Sequence, residues 1–137
     1  MNRSELEKKI RILISELSDN KGFICPIDIL LGLDYLSQKD YMDWRNGKIE
    51  YLEKVCKINL SILSTINRTI KQIAVKMDFK PSWTAYNKFG KGPKVSLRFS
   101  KTGDKYIEKA YSTHWVNEYQ IIKLKEKSIR TDDRAEP

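Results

Sequence analysis

The sequence predicts a single α+β domain, mainly helical, in which a bundle of helices is followed by a β-hairpin and a C-terminal helix. Three observations lead there. Apolar residues recur at spacings of three and four from Leu6 to Met77, and they alternate with polar ones between Thr84 and Phe99. A length of 137 residues, 40% of them apolar and 32% charged, suits one hydrophobic core that needs no metal or disulfide to close it. The expected domain covers residues 1–127, and the polar stretch 128–137 reads as a frayed tail.

Ser4 followed by Glu7 forms a capping box, and Leu6, Ile10, Leu13 and Leu17 then keep helical spacing, so residues 5–18 read as an amphipathic helix that Asp19, Asn20 and Gly22 end. Pro26 suits the first turn of a second helix, with Ile27, Leu30 and Leu31 toward the core. Ser37 with Asp40 opens a third short helix, and Gly47 stops it. Asn59 caps the strongest helix of the chain, whose apolar stripe is Ile62, Ile66, Ile70, Ile73 and Met77.

Beyond Lys80 and Pro81 the period changes. Thr84 to Lys88 reads as one strand and Val95, Leu97 and Phe99 as one face of the next, joined by the tip Gly90-Lys91-Gly92-Pro93-Lys94. Thr102, Gly103 and Asp104 end this hairpin and cap a helix carrying Tyr106, Ile107, Ala110, Tyr111 and Trp115. Residues 117–127 extend that helix or form an edge strand. No internal repeat or low-complexity linker interrupts the chain.

Several function classes fall away. No apolar run approaches the roughly 18 residues that a membrane crossing needs, and the charged N-terminus lacks the unbroken apolar stretch of a secretory signal. A cytoplasmic protein with no membrane partner is expected. Cys25 and Cys56 stand far apart among aliphatic neighbours, without other ligands nearby, and read as reduced structural thiols. No cofactor is expected.

Charge is the informative feature. Residues 54–103 hold eleven lysines and arginines against the single Asp78, a balance of +10 in a chain whose total is +8. Such concentration points to a polyanion, because each phosphate neutralised releases condensed counterions. The expected partner is a nucleic acid, DNA or RNA. On the long helix, the side opposite the stripe carries Ser61, Ser64, Thr65, Arg68, Lys71, Gln72 and Lys76, small donors first and basic or amide groups further on. Short residues let backbone and groove approach, while Arg and Gln meet base edges bidentately. An ordinary solvated helix face has the same polar character. The hairpin adds Lys88, Lys91, Lys94 and Arg98 as phosphate contacts.

Three helices and then a basic hairpin resemble, in order alone, a winged helix, in which the third helix reads the groove and the hairpin touches phosphates. The tip itself is no nucleotide-binding P-loop, since Pro93 displaces the required Lys and no Ser or Thr follows to hold Mg²⁺. The run Cys25-Pro26-Ile27-Asp28-Ile29-Leu30, then Tyr41-Met42-Asp43-Trp44-Arg45-Asn46-Gly47, Tyr51-Leu52-Glu53 and Leu97-Arg98-Phe99-Ser100-Lys101-Thr102-Gly103-Asp104 resembles a family of small prokaryotic proteins over about residues 23–116. That family has no assigned function, so the resemblance implies no catalytic residue, cofactor or partner.

Two other readings remain open. Trp44 and Arg45 could belong to an adaptor surface for an acidic protein or for a second copy of the chain, in the manner of aromatic and arginine interface residues, or Trp44 could anchor a short helix from within. A metal-dependent nuclease would use Asp40 with Asp43 or Glu50 with Glu53, although Lys39, Arg45, Lys48 and Lys54 interleave with these acids and suit surface ion pairs. His114 is the only histidine, and no local signature marks Ser112, Cys56 or Asp104 as its catalytic partner. The chain therefore reads as a binding protein rather than an enzyme.

Overall fold

A computed structural model describes residues 2–135, with side chains through residue 129. The first helix starts two residues earlier than the capping box suggests. Asn2 is the cap, its Oδ1 accepting from the Glu5 N–H at 2.9 Å, and α1 runs Arg3–Lys21. It closes on Gly22 in the left-handed region, φ +78°, with the Gly22 N–H donating to the Ser18 carbonyl. A Cβ there would also lie 2.6 Å from Ile121 Cδ1, so conformation and space both select glycine.

The chain continues through β1 (Phe23–Ile24), α2 (Pro26–Gly32) and α3 (Gln38–Arg45). Pro26 opens α2 and the Ser37 hydroxyl caps α3 by accepting from the Asp40 N–H at 3.1 Å, both as the sequence indicates. A 3₁₀ turn at Leu52–Val55 precedes α4 (Leu60–Lys76), which Asn59 caps through the Ile62 N–H at 2.9 Å. Then come β2 (Lys80–Trp83), α5 (Lys105–Ser112) capped by Asp104, β3 (Thr113–Val116) and α6 (Glu118–Ala135). The mainly helical α+β class holds.

The three strands form one antiparallel sheet in the order β1-β3-β2, with Phe23 opposite Val116 and Trp83 opposite Thr113. This departs from the expected hairpin. Thr84–Lys88 and Val95–Phe99 approach each other but share only a single bridge, Asn87 with Ser96, flanked by bonds from the Lys88 N–H to the Val95 carbonyl and from the Leu97 N–H to the Tyr86 carbonyl. The cause lies in competing partners: the Arg98 and Phe99 carbonyls accept from the Leu52 and Glu53 N–H groups, and the Phe89 N–H donates to the Arg45 carbonyl. The ribbon is thus tied to α3 and the 3₁₀ turn rather than zipped to itself. Trp115 stands in β3 and not on a helix, since α5 ends at Ser112. Residues from 118 form a helix of their own, joined to α1 by Asn117, whose N–H reaches the Gly22 carbonyl and whose amide reaches Ser18 Oγ at 2.9 Å. The expected tail falls largely outside the residues whose side chains are described.

The core has an aliphatic part and an aromatic part. Leu6, Ile10 and Ile14 of α1 are buried with Leu63, Ile66, Ile70 and Ile73 of α4 and with Ile24 and Leu30. Trp44, Tyr86, Phe99 and Tyr111 continue it, with Trp44 and Phe99 ring centres 5.0 Å apart and Phe99 stacked on Tyr111 at 5.2 Å. The buried stripe of α4 is rotated from the expected one. Leu63 and Ala74 are inside, Ile62 is only half-buried and Met77 is exposed, because α4 is packed by both α1 and α2 and Met77 already lies past its last turn.

Candidate nucleic-acid interface

Burial of Leu63, Ile66, Ile70 and Ile73 turns the opposite side of α4 to solvent. Ser61, Ser64, Arg68, Lys71, Gln72 and Lys76 are exposed there and Thr65 is half-buried at the edge. Local bonds order part of this face: the Thr65 hydroxyl donates to the Ser61 carbonyl at 3.0 Å, and Arg68 Nη2 lies 3.4 Å from Thr65 Oγ1. Lys71 and Lys76 have no ion-pair partner among the described residues, and no acidic residue occurs anywhere in the helix. Three cations thus stand uncompensated within about three turns.

The N-terminal end of α1 adjoins this face. Asn2, Arg3 and Leu6 line a cleft with Ile62 and Thr65 of α4. Asn2 and Arg3 were not legible beside this face, because the capping box at Ser4 puts the helix start at residue 5. A basic residue directly after an asparagine cap was the available signal.

The second basic group is separate. Lys91 and Lys94 are exposed on a tip whose Gly90 and Gly92 both have φ +114°, with open space around each. Lys88 lays its aliphatic stem against Gly47, where a Cβ would come within 3.0 Å of Lys88 Cδ. Arg98 is tied to its neighbours in the fold. Its Nη2 lies 3.6 Å from Glu50 Oε1, its guanidinium sits over the Tyr51 ring, and its carbonyl accepts from Trp44 Nε1 at 2.9 Å. No hydrogen bond or ion pair joins this ribbon to the basic face of α4 among the described residues.

Trp44 is not a surface residue. It is 0% exposed, which selects the internal anchor over the adaptor surface. Arg45 is likewise committed within the fold: its guanidinium lies 4.0 Å from the Phe89 ring centre and 5.2 Å from that of Tyr86, with Nη2 donating to the Asn87 carbonyl at 3.2 Å. The acids of the nuclease reading are dispersed among other partners, Asp43 with Lys39, Glu50 with Arg98 and Glu53 accepting from the Tyr111 hydroxyl. Among the described residues no group of three or more His, Cys, Asp or Glu is arranged to hold a metal ion.

The thiols and the imidazole are enclosed. Burial pushes both Cys25 and Cys56 up to about 12, which keeps each protonated and unreactive near neutrality. His114 shares a 2.7 Å hydrogen bond with the Tyr86 hydroxyl and stacks on Phe23, and burial lowers its pKa. Among the described residues no helix is long and apolar enough to cross a membrane.

No family model matches the chain, and no curated protein or solved structure matches it either. The resemblance over residues 23–116 therefore adds nothing to the geometry of the basic face.

Proposed function

We propose that this chain is a cytoplasmic nucleic-acid-binding protein without catalytic chemistry of its own, and that it docks on its partner through α4. The observation that carries the reading is the acid-free exposed face of that helix, on which Arg68, Lys71 and Lys76 follow the small residues Ser61 and Ser64. Uncompensated cations on a rigid element attract phosphates, and the short side chains ahead of them permit close approach to a groove.

The topology supports the same reading. Helices α1, α2 and α4 with a sheet in the order β1-β3-β2 resemble the arrangement of a winged helix, with α3 inserted before the third helix and α5 inside the wing. Likeness of fold alone would not carry a function. The decisive experiment is a duplex-binding titration at several salt concentrations. Replacing Arg68, Lys71 and Lys76 together with alanine is expected to flatten the log–log slope by about 0.9 for each duplex phosphate that is no longer neutralised. A slope identical to that of the unaltered protein ends the proposal.

A further inference from the structure

Two of the three tryptophans are enclosed, Trp44 at 0% and Trp115 at 8% exposure, whereas Trp83 is 67% exposed. Its position is set by strand pairing. Trp83 lies in β2 opposite Thr113, and the register places it and Pro81 on the same face as Trp115, the face that β1 and β3 bury through Ile24 and Trp115. Under β2 that face is bare, since all four β2 residues are exposed. The indole has no hydrogen bond or ring partner among the described residues.

What covers such a surface must satisfy its surroundings. Trp83 belongs to the segment with eleven cations and one acid, and that acid, Asp78, is paired to Lys80 at 3.1 Å. A second copy would bring like charge against like charge. An added peptide strand would meet Pro81, which has no N–H to offer at the sheet edge. A nucleobase answers both features, with a flat π-face for the indole and phosphates for the lysines. Base faces inside a duplex are occupied by their neighbours, so the stack must be interrupted where the indole engages it.

We infer that Trp83 stacks on an unpaired base of the nucleic acid held by α4, so that the preferred partner is a duplex with a single-stranded extension. The inference rests on the α4 reading above. Lys76 and Trp83 are seven residue steps apart along the chain, a reach of at most about 25 Å, which puts the unpaired base within about seven base steps of the phosphates beside α4.

Emission quenching isolates Trp83, because iodide does not reach the two buried indoles. The probes are a blunt duplex, the same duplex with a short oligothymidylate extension, and polyglutamate. The extended duplex is expected to bind more tightly than the blunt one, to quench Trp83 emission and to shield it from iodide. Trp83→Ala should weaken binding of the extended duplex by about five- to 150-fold, leave blunt-duplex binding unchanged and leave the thermal melt in place, while Trp83→Phe retains most of the affinity. Equal affinities for the two duplexes with Trp83 still open to iodide overturn this inference and leave the α4 reading standing. Absence of binding to either duplex overturns both. Quenching by polyglutamate in place of nucleic acid overturns the inference in favour of an acidic polypeptide.

Discussion

The Tyr86 hydroxyl and His114 Nε2 lie 2.7 Å apart, one on the ribbon and the other on the central strand of the sheet, and Phe23 of β1 stacks on the same imidazole at 5.2 Å. His114 therefore joins three segments that are distant in sequence. Burial is the chief cause of its lowered pKa, opposed by Asp28 and reinforced by Lys21.

A pH dependence follows from that burial. Because the folded value lies below the ordinary 6.5, the unfolded chain binds the proton more readily between the two values, and stability rises with pH across that window. The contribution is fully present above 6.5 and is lost as pH falls toward the folded value. Melting midpoints measured from about pH 5 to 8 should show this decline, and His114→Gln should flatten it. Identical pH profiles for the two proteins would refute the coupling.

Trp44 fills the junction of α3 with the ribbon, at 0% exposure and with its Nε1 bonded to the Arg98 carbonyl. Trp44→Ala is expected to cost about 3–5 kcal/mol in urea denaturation. Trp44→Phe should cost less, since it keeps an aromatic ring against Phe99 and gives up only the indole bond. A melt unchanged by Trp44→Ala would contradict the anchor role.

Glu108 pins the turn that leads into α5. Its carboxylate accepts from the Phe99 and Ser100 N–H groups, both at 2.8 Å, and from the Ser100 hydroxyl at 2.6 Å. Glu108→Ala strands two N–H groups of buried residues and should destabilise by about 1–3 kcal/mol. Ser100→Ala removes one donor while leaving the carboxylate its two backbone partners, so its cost should be smaller. The order of the two losses is the check.

If α4 docks on a duplex as proposed, Arg68 is its residue best suited to read bases. Its guanidinium is oriented toward Thr65 and presents a planar fork that lysine lacks. Arg68→Lys should preserve non-specific affinity while eroding discrimination among duplex sites, an interaction worth about 1–3 kcal/mol against the wrong base. Selection from a random duplex pool tests it. Enrichment of one motif by both proteins alike would exclude base reading by Arg68.

Local chemistry made much of the fold legible. Ser37, Asn59 and Asp104 cap their helices as the sequence indicates, because a cap depends on a side chain and an N–H two or three residues away. The exposed side of α4 was readable from its period for the same reason. The sheet was not, since β1 has only two residues and its partner β3 lies beyond α5, with Tyr111 and Trp115 sharing a helical spacing across the boundary. Nor did alternation reveal that the Arg98 and Phe99 carbonyls would turn to Leu52 and Glu53. The exposure of Trp83 was not legible because exposure of an indole on a strand is decided by where the helices end, and the ties of Arg98 were not, because Glu50 and Tyr51 meet it only after folding.

The central position of β3 has a kinetic consequence. Phe23 must wait for Val116, which leaves the ribosome roughly ninety residues later, whereas α1 and α4 can meet as soon as α4 is made. Loop-closure entropy opposes the later pairing, so the sheet is expected to close after α1 and α4 have met. Until β3 arrives both β1 and β2 have no strand to pair with, and in that interval Pro81 guards the longer of the two against pairing with another nascent chain.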